Sequence, residues 1–150
     1  MEYGNKVWYN RLRKFKDKNV QRRQTKLIKG LWDTPYEERL RIIKLPSMEY
    51  RQIRGDLIQV FKIAHNYYDP ITTKSLFEFS DSQRLRGHNY KIIKQRANKS
   101  KYSHFFTNRV VNRWNKLPSK IVNASSINNF KNLLDAHYKS IMYSINIPDV

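Results

Sequence analysis

The chain contains no cysteine. Disulfide frameworks, thiolate zinc sites, zinc knuckles and cysteine nucleophiles are thereby excluded, and the absence fits a reducing, intracellular compartment. Glycine and proline are scarce, with four and five in 150 residues, which suits helices with short connections better than a sandwich of many turns. Long apolar runs are missing too. A membrane-spanning helix needs about 18 consecutive apolar residues, and no such run occurs. The first thirty residues are basic without a long apolar stretch, so they do not read as a signal peptide. Acids are also few: 12 Asp/Glu face 30 Lys/Arg, a net charge of +18 with a pI near 10.2. Such an excess destabilises a folded chain by self-repulsion unless a polyanion relieves it. Nucleic acid is the leading partner and an anionic membrane the second; a merely solubilising basic surface is the bland alternative.

Hydrophobic residues make up 39% of the chain, with ten tyrosines, seven phenylalanines and three tryptophans. That is too aromatic for a disordered tail, and the length suits one domain with a modest core. The charge is uneven. Residues 1–31 hold ten Lys/Arg against Glu2 and Asp17, while Thr34 to His65 sets four acids against six bases. From Ser82 to Leu134 there are twelve Lys/Arg and no carboxylate.

Hydrophobic spacing predicts a first helix from about Asp17 to Trp32, with Val20, Leu27, Ile28 and Leu31 on an apolar side and Arg22, Arg23, Lys26 and Lys29 on a basic one. In "TPYEERL", Thr34 reads as an N-cap, Pro35 as the first helical residue and Glu37 as the third position of a capping box. This second helix should end near Lys44, because Pro46 disfavours helical geometry at Leu45. Ser47 caps a third helix over 48–66, whose apolar positions Tyr50, Ile53, Leu57, Val60, Phe61 and Ala64 describe one face. "TTKSLFEFS" reads as a short helix or irregular segment, and "RLRGHNYKIIK" as a candidate β-hairpin near 84–94. A fourth helix is expected from about Lys101 to Lys116, stopping at Leu117-Pro118. Ser125 or Ser126 caps a fifth, carrying Ile127, Phe130, Leu133, Leu134 and Tyr138. The fold class expected is mainly α: about five helices around a single small core. Residues 1–32 would form a basic N-terminal segment and helix, 33–143 a helical C-terminal domain, and 144–150 a loose tail.

Catalytic signatures are missing. There is no glycine-rich phosphate loop, nucleophile elbow or His-Glu-x-x-His. No two aspartates fall within ten residues of each other, so the paired aspartates that hold two metal ions in polymerases are absent. No cofactor or metal is expected. His65, His88, His104 and His137 lie without ligand spacing and read as surface or boundary residues. Arg54-Gly55-Asp56 spells a cell-adhesion tripeptide, but inside the most regular helix. There Gly55 would allow close approach of another element, and Asp56 would pair with an Arg or Lys.

The fourth helix carries three lines of residues. Phe106, Val110 and Trp114 make a buried stripe, and Arg109, Arg113 and Lys116 a basic one that Lys120 continues beyond Pro118. Asn108, Asn112 and Asn115 form the third. Arginine and asparagine can grip phosphates or pair with base edges. Phosphate contact is the preferred reading, with a solvated face and base-specific recognition as alternatives. The N-terminal "WYNRLRKFKDK" interleaves aromatics with bases, as single-strand binders do; the same aromatics would equally serve to dock the segment on the core.

Taken in order, "MEYGNKVWYNR", "VQRRQTKLIKGL", "TPYEERLRIIKLPSMEYRQIRGDLIQVFKIAHN", "RLRGHNYKIIK" and "HFFTNRVVNRWNKLPSKIVNASSINNFKNLLD" resemble the carboxy-terminal portion of non-LTR retrotransposon reverse transcriptases of the jockey-like and chicken-repeat-like groups. The resemblance covers about residues 2 to 138. It departs from the family at "KFKDKNVQRRQT", where the family has a longer apolar run before "VQRR" and an alanine in place of Gln24. It implies the end of a thumb region and a helical tail that contact template–primer or element RNA, without the palm and its catalytic aspartates. The function expected is noncatalytic binding of RNA or DNA backbone, with Arg22, Arg23, Lys26, Arg109, Arg113 and Lys116 gripping phosphates. The palm of a reverse transcriptase is a further expected partner, no membrane is expected, and the expected location is intracellular, in the nucleus. The alternatives are a scaffold or decayed reading frame inactive without the palm, and an autonomous enzyme, which would need a cleft with converging carboxylates.

Overall fold

The computed structural model describes residues 11–68, 76–80, 87–96, 105–144 and 147, with side chains from residue 19 onward. The described chain is mainly helical, and its central element is the longest helix. This is Met48–Ala64, here α3; the other helical segments are α1 (Arg11–Lys26), α2 (Tyr36–Ile42), α4 (Phe106–Arg109), α5 (Val111–Lys116), α6 (Ser119–Val122) and α7 (Ile127–His137). Among the described residues, no helix is long and apolar enough to cross a membrane.

The third helix forms as its sequence predicts. Ser47 sits at the N-cap in extended geometry, and its hydroxyl accepts the Tyr50 N–H at 3.2 Å, satisfying one of the orphan donors of the first turn. All six apolar positions expected on one face are buried. At the other end Asn66 enters left-handed geometry at φ 57°, which asparagine tolerates better than most residues. Its N–H reaches the Ile63 carbonyl at 3.2 Å, and the Tyr67 N–H reaches that of Lys62 at 2.9 Å. Those two bonds close the helix in a Schellman motif. The same pair of bonds ends α2, from Lys44 (φ 54°) to Arg41 and from Leu45 to Leu40.

Around α3 the core is aromatic. The helix packs against α1, α5 and α7. Phe61 stacks on Phe130 of α7 with ring centres 4.3 Å apart, and Trp114 of α5 lies 6.3 Å from Phe130 on its other approach. Ser126 caps α7, its hydroxyl accepting the Asn129 N–H, and Phe130 and Leu134 are fully buried. α6 is a single turn after Pro118 that buries Ile121 and Val122. A lone antiparallel bridge joins Phe79 to Ile92, through Ser80 N–H to Lys91 O and Ile93 N–H to Glu78 O, both 2.8 Å.

Several expectations are corrected. The first helix ends at Lys26 rather than Trp32, because Gly30 turns left-handed at φ 84° and residues 27–34 run through successive tight turns. Its expected apolar side faces out: Val20, Leu27 and Ile28 are exposed, and the buried positions are the polar Gln21 and Thr25. Thr34 does not cap α2. Pro35 occupies the N-cap without a side-chain cap, and the Thr34 carbonyl instead accepts Arg39 Nη1 at 2.6 Å. The fourth helix divides into α4 and α5 at Val110, still in helical geometry, where the β-branched pair Val110-Val111 lowers helix propensity. Residues 101–104 of that expected helix, and the N-terminal Trp8 and Tyr9, lie outside the described residues.

In the expected hairpin, residues 84–86 also lie outside the described residues, and the run after Gly87 pairs with Phe79 instead. Ile147 is no loose-tail residue: it is buried in the core, and its carbonyl accepts Arg113 Nη2 at 3.3 Å. His88, expected at the surface, is 2% exposed. Gly55 permits no close approach, since a Cβ there would meet nothing within 4 Å.

Because Gly55 is exposed within a helix, Gly55→Ala should raise stability by up to about 1 kcal/mol, the difference in helix propensity. Phe130→Ala should cost about 3–5 kcal/mol. Urea titration measures both; an unchanged or lower midpoint for Gly55→Ala would show that something unseen crowds that face.

Candidate nucleic-acid interface

The six basic residues expected to grip phosphates fall into two groups on different elements. Arg22, Arg23 and Lys26 lie in the last two turns of α1 and are exposed. With Asn19, Trp32, Asp33, Thr34, Pro35, Tyr36 and Arg39 they line an open cleft of about 570 Å³ between α1, the 27–34 turns and α2. Arg109, Arg113 and Lys116 lie on α4 and α5, which pack against the far part of the fold through α3.

The walls of the cleft are set by a polar seam. The Tyr36 hydroxyl donates to Gln21 Oε1 at 2.7 Å. Arg39, only 2% exposed, donates from Nε to Thr25 Oγ1 (3.2 Å), from Nη1 to Thr34 O (2.6 Å) and from Nη2 to Arg22 O (3.4 Å). Its guanidinium carbon and that of Arg22 each lie 5.5 Å from the centre of the Tyr36 ring, within cation–π range. These partners are neutral, and no carboxylate bonds to Arg39 among the described residues. An arginine this deep is normally paired with an acid. Burial pushes the Tyr36 phenol up, while Arg22, Arg39 and Arg51 pull it down; the phenol thus senses three guanidinium groups at once. The cleft concentrates positive charge, with Asp33 as the acid in its lining.

The second group is differently engaged. Arg109 does not stand ready for a phosphate: Nε and Nη2 clasp Asp56 at 2.8 and 2.9 Å, with the two side chains 12% and 10% exposed. The expected partner of Asp56 is thus found, and the expected role of Arg109 is corrected. The cause is proximity, because α4 lies where the acid-free stretch meets one of the few carboxylates of α3. Arg113 is half-buried against the Ile147 carbonyl, and Lys116 is exposed. Of the asparagine line, Asn115 is spent on the backbone of Ile92. Its Nδ2 donates to Ile92 O at 2.8 Å and its Oδ1 accepts the Ile92 N–H at 2.9 Å. Asn112 Oδ1 accepts Lys94 Nζ at 3.2 Å. Asn115 therefore reads a strand of its own chain, as a ladder partner would.

Of the described histidines, His88 and His65 hold backbone carbonyls, while His137 is exposed at the end of α7. His88 Nε2 donates to the Trp114 carbonyl at 3.0 Å; a carbonyl only accepts, so Nε2 carries a proton. Burial, with Lys91 beside it, pushes its pKa below the ordinary value, against the pull of that hydrogen bond. His65 Nε2 faces the Val122 carbonyl at 2.9 Å. Among the described residues no three His, Asp or Glu side chains converge on a point that could hold a metal ion.

Sequence reasoning missed two residues of the cleft. Trp32 was assigned to the end of a helix, yet it stands 69% exposed. Arg39 is one of the six bases in the charge-balanced middle of the chain and carries no motif of its own there. Its one legible signal was the tight Thr34-Pro35 turn five residues before it. Comparison with protein-family models, with curated proteins and with solved structures finds no match to this chain.

Asp56→Ala should cost about 3–5 kcal/mol, because it takes from the largely buried Arg109 the carboxylate that both of its bonding nitrogens clasp; a loss below about 1 kcal/mol in urea melts would mean the pair is effectively solvated. For His88 the folded pKa lies below the unfolded one, so the unfolded state binds more protons and stability rises with pH. That contribution is complete above the ordinary value of 6.5 and is lost as pH falls below it. The melting temperature should drop from about pH 7 to about pH 5, and His88→Gln should flatten the drop; parallel curves would exclude His88 as its source.

Proposed function

We propose that this chain is a noncatalytic nucleic-acid-binding domain that grips phosphates, and that it is the thumb-and-tail portion of a non-LTR retrotransposon reverse transcriptase. The observation that carries the first half is the α1–α2 cleft. Three exposed bases and a buried arginine that bonds to no acid among the described residues line one concave surface. Phosphate oxygens are suited to that arrangement, since helix-borne Arg and Lys side chains neutralise backbone charge without reading sequence. The second half rests on the ordered motifs from residue 2 to 138, and a polymerase partner would bring the catalytic aspartates that this chain's spacing lacks. Arg22, Arg23 and Lys26 make the primary contact. Lys116 and Arg113 stand as a secondary rim, and Arg109 serves the fold.

A scaffold reading also has an observation in its favour. Leu27 is 86% exposed, beside exposed Val20 and Ile28, and apolar side chains left out in this way suit a face covered by another domain. The two readings are compatible, since the apolar residues and the cleft share α1 and its following turn.

The test is a salt titration of binding to single-stranded RNA and DNA. Log affinity should fall linearly with log salt, with a slope of about −0.7 per neutralised phosphate. The triple variant Arg22→Gln, Arg23→Gln, Lys26→Gln should lose about two units of that slope, whereas Lys116→Gln should change it by less than one. No binding at about 50 mM salt, or a slope indifferent to the triple variant, would refute the assignment.

A further inference from the structure

Resting on that reading, the geometry points to a more specific occupant: we propose that the α1–α2 cleft takes one unpaired nucleotide of a single strand, its base lying against Trp32 and its phosphate facing Arg22, Arg23 and Lys26. Three observations converge. The cleft, at about 570 Å³, falls within the size of pockets that take small organic ligands. Trp32 contributes an indole that is 69% exposed, although an indole ordinarily buries most of its area. A flat, solvent-facing aromatic beside clustered bases is the arrangement on which unpaired bases stack, and stacking asks for no particular sequence. Arg22, Arg23 and Lys26 stand on one wall at helical spacing, so they offer a charged edge rather than a single point.

The remaining lining sets the direction of the occupant. Arg39 cannot swing out to meet a phosphate, because Thr25, Thr34 O and Arg22 O hold its three nitrogens. It contributes a fixed positive field behind the cleft, and among the described residues no carboxylate bonds to it. Asp33 follows Trp32 directly and lines the same cleft. Its charge repels phosphate from the Trp32 side and leaves the α1 side for the backbone. A base, which carries no net charge and offers N–H donors, is compatible with Asp33 where a phosphate is not. Polarity within the cleft follows: base toward residues 32–33, phosphate toward residues 22–26.

The experiment compares the full chain with Trp32→Ala and Trp32→Phe. Fluorescence anisotropy would follow binding to a labelled single-stranded oligonucleotide and to a duplex of the same length. Trp32 is exposed, so neither substitution should change the melting temperature, which is measured alongside. Trp32→Ala should weaken single-strand binding about tenfold, the loss of one stacked base. The duplex affinity and both salt slopes should stay as they are, and Trp32→Phe should restore most of the loss. Salt-dependent binding that Trp32→Ala leaves unchanged, or weakens equally on strand and duplex, overturns the inference and leaves the phosphate-gripping assignment standing. Binding to neither overturns both. Competition by a free mononucleotide as effective as the oligonucleotide also overturns the inference, reassigning the cleft to a small-molecule nucleotide.

Discussion

Trp114 is the residue on which the several parts of this fold depend. It is fully buried, and its ring faces Phe130 of α7 and, edge-on, the imidazole of His88. Its indole N–H donates to the Tyr90 carbonyl at 2.7 Å, and its own carbonyl accepts His88 Nε2. A buried indole must satisfy its N–H, and here the acceptor is a stretch of irregular backbone. The 88–92 segment is therefore fastened to α5 by side chains: Trp114, and next to it Asn115 on the backbone of Ile92. A segment that pairs with only one bridge to Phe79 needs such partners, since unpaired buried backbone groups are costly.

On α3, Arg54 and Asp56 divide the work of holding neighbours. Residues two apart on a helix point to well-separated sides. Arg54 accordingly clasps Asp135 of α7, at 2.6 and 2.8 Å, while Asp56 clasps Arg109 of α4. Tyr50 adds its hydroxyl to the Asp135 carboxylate. Burial pushes that carboxyl up, but the hydrogen bonds from Arg54 and Tyr50 outweigh it and hold it below its ordinary value. Two carboxylates of a chain with only twelve are thus consumed in tying helices together.

The joint between α1 and the remainder differs in kind from the aromatic core. Among the described residues it is made by Gln21, Thr25, Tyr36 and Arg39 through hydrogen bonds. Each such bond contributes only about 1 kcal/mol net, but leaving any member unpaired costs more. The seam therefore gives definite geometry at modest stability. It presents the basic edge of α1 across from Trp32 at a fixed spacing, which is what a surface that binds a flexible polyanion requires.

Much of the fold was legible along the chain. The period of Tyr50 to Ala64, the caps at Ser47 and Ser126, and the stripe of Phe106, Val110 and Trp114 are local signals, set by backbone hydrogen bonding and by the need to bury apolar faces. The excess charge is likewise a property of composition. What the linear order could not decide was which charges meet. Arg109 and Arg22 look alike in sequence; one met Asp56, 53 residues away, and the other met solvent. Val20, Leu27 and Ile28 had helical spacing, yet they are exposed, and Gln21 and Thr25 took the buried side through their bonds to Tyr36 and Arg39. Ion pairs and buried polar seams join residues distant in sequence, and their partners are chosen by tertiary proximity. The sequence by itself determined a basic, helical chain with its core residues marked; only the tertiary structure decided which bases serve the fold and which line a cleft.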